Sequence, residues 1–148
     1  MRSKRSSSSK ELLVDTSFLL PALGIDVEKE IYEAIEKFKK YKIYYLEISL
    51  IEAMWSIIKR VDIRYRRIVE TGLESIRDTY YKMNITPDHM LKAWEIYLSA
   101  HKDFIDSLLY SVSIIENIPL LTIDKKLKSN LEKNGYDTRN IVFPKELK

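Results

Sequence analysis

The chain has 148 residues, 45% hydrophobic and 32% charged, with a formal net charge of +3. That balance fits one soluble globular domain and excludes wholesale disorder. The sequence holds no cysteine, which excludes disulfides, thiolate zinc sites, iron–sulfur clusters and cysteine nucleophiles.

Residues 1–10 carry Arg2, Lys4, Arg5 and Lys10 around the run Ser6–Ser9 and no acid, leaving 21 basic and 22 acidic residues beyond. They read as a flexible basic tail, and residues 11–148 as the folded domain. This start meets serines instead of an apolar segment, and no apolar run approaches the ~20 residues of a membrane helix. The expectation is a cytoplasmic protein with no membrane contact.

Leu12, Leu13 and Val14 form a short apolar run suited to a strand buried on both faces. Val27, Ile31, Ala34, Ile35 and Phe38 then recur at helical spacing, predicting a helix over Val27–Tyr41. Lys42–Ile48 reads as a second strand, and Ser49 opens a helix to about Lys59. A long amphipathic helix is expected from Asp62 to about Lys82, with Gly72 in its apolar stripe, and a brief strand at Met83–Ile85. Thr86-Pro87-Asp88 is a helix start, with a hydroxyl cap and proline at the first helical position. That helix runs to about Ala100, and the next covers roughly Asp103–Glu116. Pro119–Ile123 is a buried-type strand, Lys125–Lys133 a short helix, and Asn140–Phe143 a last strand. Strands alternating with helices predict a three-layer α/β/α sandwich around a parallel sheet of four to five strands.

Ligands of such sheets gather at the carboxyl ends of the strands. Asp15 directly follows the first strand and Asp124 follows Pro119–Ile123, so both side chains are expected at one edge. Glu52 and Asp106, near the starts of their helices, can reach the same edge. Asp103 shares the face of Asp106. Acids brought together repel unless protonated or bridged by a cation. An oxygen-only donor set suits Mg²⁺ or Mn²⁺ better than zinc. Each acid also has a local reading: Asp15, Asp103 and Asp124 as helix caps, Ser49 and Glu52 as a capping box, and Asp106 as a favourable first-turn charge. Their joint placement favours the shared site.

At these residues the chain resembles the PIN-domain nuclease family, over nearly all of residues 11–144. Leu12–Leu20 resembles the opening strand with its acid and following Thr16. Ile48-Ser49-Leu50-Ile51-Glu52 is similar to the second motif, Asp106–Ser111 to the third and Pro119–Asp124 to the fourth. Ser17 stands where many members have Asn, and Tyr110, Ser111 and Val112 where small alanines are common. The resemblance implies divalent-metal-dependent hydrolysis of RNA phosphodiesters by a metal-activated water. Asp15, Asp106 and Asp124 would hold one or two ions, with Glu52 as ligand or water-orienting base and Asp103 in a supporting role. Ser17 and Thr122 would hydrogen-bond the carboxylates. Among small members the chain most resembles VapC-type toxins, which implies a homodimer silenced by an antitoxin protein. The alternative is a PIN-like module that binds RNA or protein without cutting.

Arg60, Arg64 and Arg67, if their helix is continuous, form a ridge able to track a phosphate backbone or simply to face solvent. Lys125 and Lys126 directly follow Asp124 and are candidate substrate contacts. His89 and His101 are read as surface or packing residues, and Trp55 and Trp94 as packing residues on apolar helix faces.

Overall fold

Alternation along three short strands decides which helices cover which face of the sheet. On β1 (Lys10–Val14), Leu12 and Val14 enter one core cluster and Leu13 the other. On β2 (Tyr41–Tyr45), Ile43 and Tyr45 oppose Tyr44; on β4 (Leu120–Leu121), Leu121 opposes Leu120. Side chains of successive strand residues point to opposite faces, so each strand feeds two cores. The structure, a computed structural model, describes residues 10–148.

On the first face lie α1 (Lys29–Ile35), α2 (Glu47–Arg60) and α3 (Arg66–Thr79), through Ile31, Leu50, Ala53, Val69 and Ile76. On the second lie α4 (Pro87–Ser99), α5 (Phe104–Glu116) and α6 (Lys125–Lys133), through Ala93, Ile96, Leu109, Val112 and Leu127. With β3 (Tyr81–Lys82) and β5 (Ile141–Val142), the sheet runs β3-β2-β1-β4-β5 with every pairing parallel. The fold is the expected three-layer α/β/α sandwich. Among the described residues, no helix is long and apolar enough to cross a membrane.

Element boundaries differ from the sequence reading where side chains compete for the backbone. The Asp62 carboxylate accepts from the Arg64 amide at 2.9 Å and winds Ile63–Tyr65 into a 3₁₀ turn, so the long helix begins only at Arg66. Tyr81 and Lys82 already pair with Tyr44 and Tyr45, placing β3 two residues ahead of the strand expected at Met83–Ile85. α2 starts at Glu47, two residues early, with Leu46 as its N-cap. Thr86 caps α4 as expected, its hydroxyl accepting from the His89 amide. The tail expected at residues 1–10 lies outside the described residues, apart from Lys10, which opens β1.

Gly72 has a steric reason: a Cβ there would sit 2.1 Å from the Ala22 carbonyl oxygen, so only glycine lets α3 approach the 3₁₀ turn Pro21–Leu23. Trp55 and Trp94 do not pack inward; they are 60% and 61% exposed. The apolar stripes of α2 and α4 are wider than their buried faces, which include Leu50, Ala53 and Ile57 on one and Ala93 and Ile96 on the other.

Candidate active site

The chain runs outward from β1 to β2 and β3, then returns to build β4 and β5 on the other side. Strand order therefore reverses between β1 and β4, which opens a crevice at their carboxyl ends. Asp15 is the first residue past β1, and its amide donates to the Leu121 carbonyl at 3.2 Å, joining the two strand ends. Asp124 follows β4 and caps α6. Glu52 comes from α2 and Asp106 from the first turn of α5. With Thr16, Ser17, Leu20 and Ser56, these four acids line one pocket of about 290 Å³.

Capping and clustering prove compatible, because each carboxylate has two oxygens and about four lone-pair positions. Asp15 accepts from the Ser17 amide at 2.9 Å through Oδ1 and from the Thr122 hydroxyl at 2.7 Å through Oδ2. Asp124 spends Oδ1 on the Lys126 and Leu127 amides, at 3.0 and 3.2 Å, while Oδ2 faces inward. Thr122 Oγ1 also accepts from the Asp124 amide at 3.0 Å, so one hydroxyl orients both acids. The capping-box reading of Ser49 and Glu52 fails: Ser49 lies inside the helix, buried, its hydroxyl without a partner among the described residues. Glu52 instead accepts a hydrogen bond from the Thr16 hydroxyl. Asp103 is the N-cap of α5, accepting from the Asp106 amide at 3.0 Å. Ser17 reaches Asp15 through its backbone amide, not its hydroxyl.

Crowding and burial push two of the acids upward. Asp15 rises to about 6, chiefly because burial disfavours the carboxylate, with the charges of Glu52 and Asp124 adding to it. Asp106 rises to about 8, first from burial, then from the charge of Asp103 and a carboxyl–carboxyl hydrogen bond with Asp124. Among the described residues, no lysine or arginine forms an ion pair with Asp15, Glu52, Asp106 or Asp124. The acids are crowded without a lysine or arginine partner, so burial and mutual repulsion hold protons on Asp15 and Asp106 to higher pH than usual.

One side chain beside these acids escaped the sequence reading. His101, 6% exposed, sits in the short link between α4 and α5, with Nε2 3.0 Å from Asp106 Oδ2 and 4.0 Å from Asp124 Oδ2. One donor atom each from His101, Asp106 and Asp124 lie within 4.8 Å of one another, a spacing that fits a single cation. A cation held there would meet a nitrogen as well as oxygens. The available signal was position: His101 stands five residues before Asp106, in a link too short to carry it elsewhere. Of the surface and packing roles left open for His89, it takes the packing one, buried and bonded to the Thr86 amide and Glu116.

The arginine candidates fall on three different elements. Arg60 ends α2, Arg64 lies in the 3₁₀ turn and Arg67 in α3, so they do not form the single helical ridge that continuity predicted. Lys125 and Lys126 open α6 beside Asp124, exposed and outside the pocket lining.

Fold and site together define an α/β domain with a carboxylate cluster at the switch point of a parallel sheet. The PIN domain family profile matches residues 12–130, and the chain belongs to that family. Solved structures share the fold at low identity. A chain of a toxin–antitoxin complex from Klebsiella pneumoniae aligns with a TM-score of 0.62 at 17% identity, covering 92% of this chain and 99% of that one. A chain of VapBC2 from Rickettsia felis, bound to a DNA fragment from the promoter, gives 0.63 at 16%, covering 90% and 96%. VapC20 from Mycobacterium tuberculosis, described as a sarcin–ricin loop cleaving toxin, gives 0.63 at 18%, covering 86% and 97%. No curated protein matches the chain.

Proposed function

We propose that the protein is a divalent-metal-dependent endoribonuclease and the toxin of a type II toxin–antitoxin pair, working in the cytoplasm. The observation that carries this reading is the convergence of Asp15, Glu52, Asp106 and Asp124 on one pocket at the strand-order reversal. The donor set fits a divalent cation, which Asp15, Asp106 and Asp124 would hold, with Glu52 as ligand or water-orienting base. A cation bound there supplies Lewis-acid chemistry, offsetting charge on the scissile phosphate and making water a better nucleophile.

The protein's own groups do the positioning. Thr122 and the Ser17 amide hold Asp15 from behind, and Thr16 fixes Oε1 of Glu52, leaving Oε2 to orient water or take its proton. No protein nucleophile is needed. Lys125 and Lys126, with Arg60, Arg64 and Arg67, offer exposed cations to the phosphate backbone.

Partners follow from surface chemistry. α2 exposes Ile51, Trp55 and Ile58, and α4 exposes Leu91, Trp94 and Leu98, each more than half accessible. Apolar patches of this kind mark protein contacts. A groove of about 580 Å³ between the end of α2 and α3, floored by Met54, Ile57, Val69 and Leu73, offers a further apolar seat. We assign these surfaces to a second copy of the chain and to an antitoxin, in keeping with the toxin–antitoxin complexes among the structural relatives. The same surfaces favour a second reading, a non-catalytic module that docks protein or RNA.

Cleavage of defined RNAs in Mg²⁺, Mn²⁺ or EDTA separates the two. The nuclease reading predicts cuts with either ion, none in EDTA, and near-complete loss in Asp15→Asn and Asp124→Asn. Full cleavage in both variants would refute the site, and absence of divalent-ion binding in titration calorimetry would favour the docking module.

A further inference from the structure

We propose that His101 is a nitrogen ligand of the cation this pocket takes, held in its ligating form by Asn130, and that it biases the site toward Mn²⁺ over Mg²⁺. This rests on the reading of the pocket as a divalent-cation site and adds a ligand and a metal preference to it. Three observations carry it. The ring is almost fully buried, yet Nε2 faces two carboxylates from different elements, at 3.0 and 4.0 Å. The backbone that carries the ring is pinned: the His101 amide donates to Ile96 at 3.0 Å, and its carbonyl accepts from the Asp103 amide at 2.9 Å and the Ser107 hydroxyl at 3.2 Å. The far nitrogen, Nδ1, lies 3.0 Å from the Asn130 side-chain amide on α6.

Asn130 suits both states of the ring. With its NH₂ toward Nδ1, the ring proton sits on Nε2 and is donated to Asp106. With the amide turned over, Oδ1 accepts a proton from Nδ1, and the Nε2 lone pair is released into the cluster. The two ends of an amide are nearly equal in size, so the exchange needs no repacking. A ligating histidine ordinarily donates its other N–H to such an acceptor, which fixes tautomer and orientation. His89 offers no such freedom: its nitrogens are held by the Thr86 amide, which can only donate, and by Glu116. Mg²⁺ prefers oxygen donors and retains its waters, whereas imidazole nitrogen suits transition ions. Replacing one oxygen ligand by nitrogen therefore favours Mn²⁺.

The test uses Mn²⁺ and Mg²⁺ as probes on the full chain. Pulsed EPR of the Mn²⁺-loaded protein should show ¹⁴N coupling from one imidazole, absent in His101→Gln and retained in His89→Gln. By calorimetry, His101→Gln should lose roughly 10- to 100-fold in Mn²⁺ affinity and less than about threefold in Mg²⁺ affinity. Asn130→Asp, which presents only acceptors to Nδ1, should keep Mn²⁺ affinity, while Asn130→Leu should weaken it. Mn²⁺ binding that depends on Asp106 but lacks ¹⁴N coupling overturns the assignment of His101 and leaves the cation site standing. No binding of either ion overturns both. The wild-type spectrum decides the point even where a variant fails to fold.

Discussion

The two ends of helix α4 each set a buried histidine against a carboxylate. In the first turn His89 meets Glu116 at 2.8 Å, and just past the last turn His101 meets Asp106 at 3.0 Å. At the first end Glu116 is the one acid paired with the ring among the described residues, and both nitrogens are committed to the start of α4 and the end of α5. At the second, Asp124 adds a further carboxylate 4.0 Å away, Asp15 adds its charge to Asp106, and the far nitrogen rests on an amide that can turn. One pair completes a cap; the other shares its space with Asp124, and its Asp106 lines the acid-rich pocket. A buried histidine is therefore read by how many acids share its space, not by burial or by the pair alone.

Substitutions at both ends put that contrast at risk. Asp106→Asn and Asp124→Asn should cut RNA cleavage by roughly 100- to 1,000-fold, as loss of preorganised charge in a reaction site does. Glu116→Gln should leave it within about threefold; equal losses at both ends in a cleavage assay would erase the distinction. Next in size, His89→Ala should lower stability by about 2–4 kcal/mol in urea unfolding, from a cavity and two lost hydrogen bonds. Mn²⁺ should not change that cost, because the cap lies outside the cluster.

The acid-rich end should also answer to pH. Asp15 and Asp106 carry pKa values of about 6 and about 8 in the folded chain, above the ordinary carboxylate value of 3.8, so the folded state binds more protons than the unfolded state. Their contribution to stability is therefore largest below about pH 4 and is lost as pH rises to 8. Asp106→Asn should stabilise the metal-free protein by roughly 1–3 kcal/mol at pH 8 and by little at pH 4. A stability difference that shrinks as pH rises would contradict the crowding. The smallest effect belongs to Thr122→Val, which removes one bond to Asp15 and one from the Asp124 amide. It should cost about 1 kcal/mol in chemical unfolding while leaving the fold intact.

Legibility in the sequence followed local signals. Asp15 and Asp124 could be placed because each closes an apolar strand, and parallel strands share an edge. Helix α6 was readable over Lys125–Lys133, and Thr86-Pro87 announced α4. What stayed hidden depends on tertiary pairing. His101 lies in a link with no periodicity, and only the docking of α5 against β4 and α6 brings it to Asp124 and Asn130. Ser49 looks like a cap until the helix is seen to start at Glu47. The arginine ridge dissolved because Asp62 captures a backbone amide, a competition that spacing alone does not reveal. Trp55 and Trp94 lie on stripes broader than the faces the sheet covers.

Anomalous diffraction from crystals soaked in Mn²⁺ tests the central claim most directly, since it locates the ion without reference to activity. A peak in contact with the carboxylates of Asp106 and Asp124, beside Asp15, is the predicted result. A protein saturated with Mn²⁺ whose only peaks lie elsewhere on its surface would contradict it.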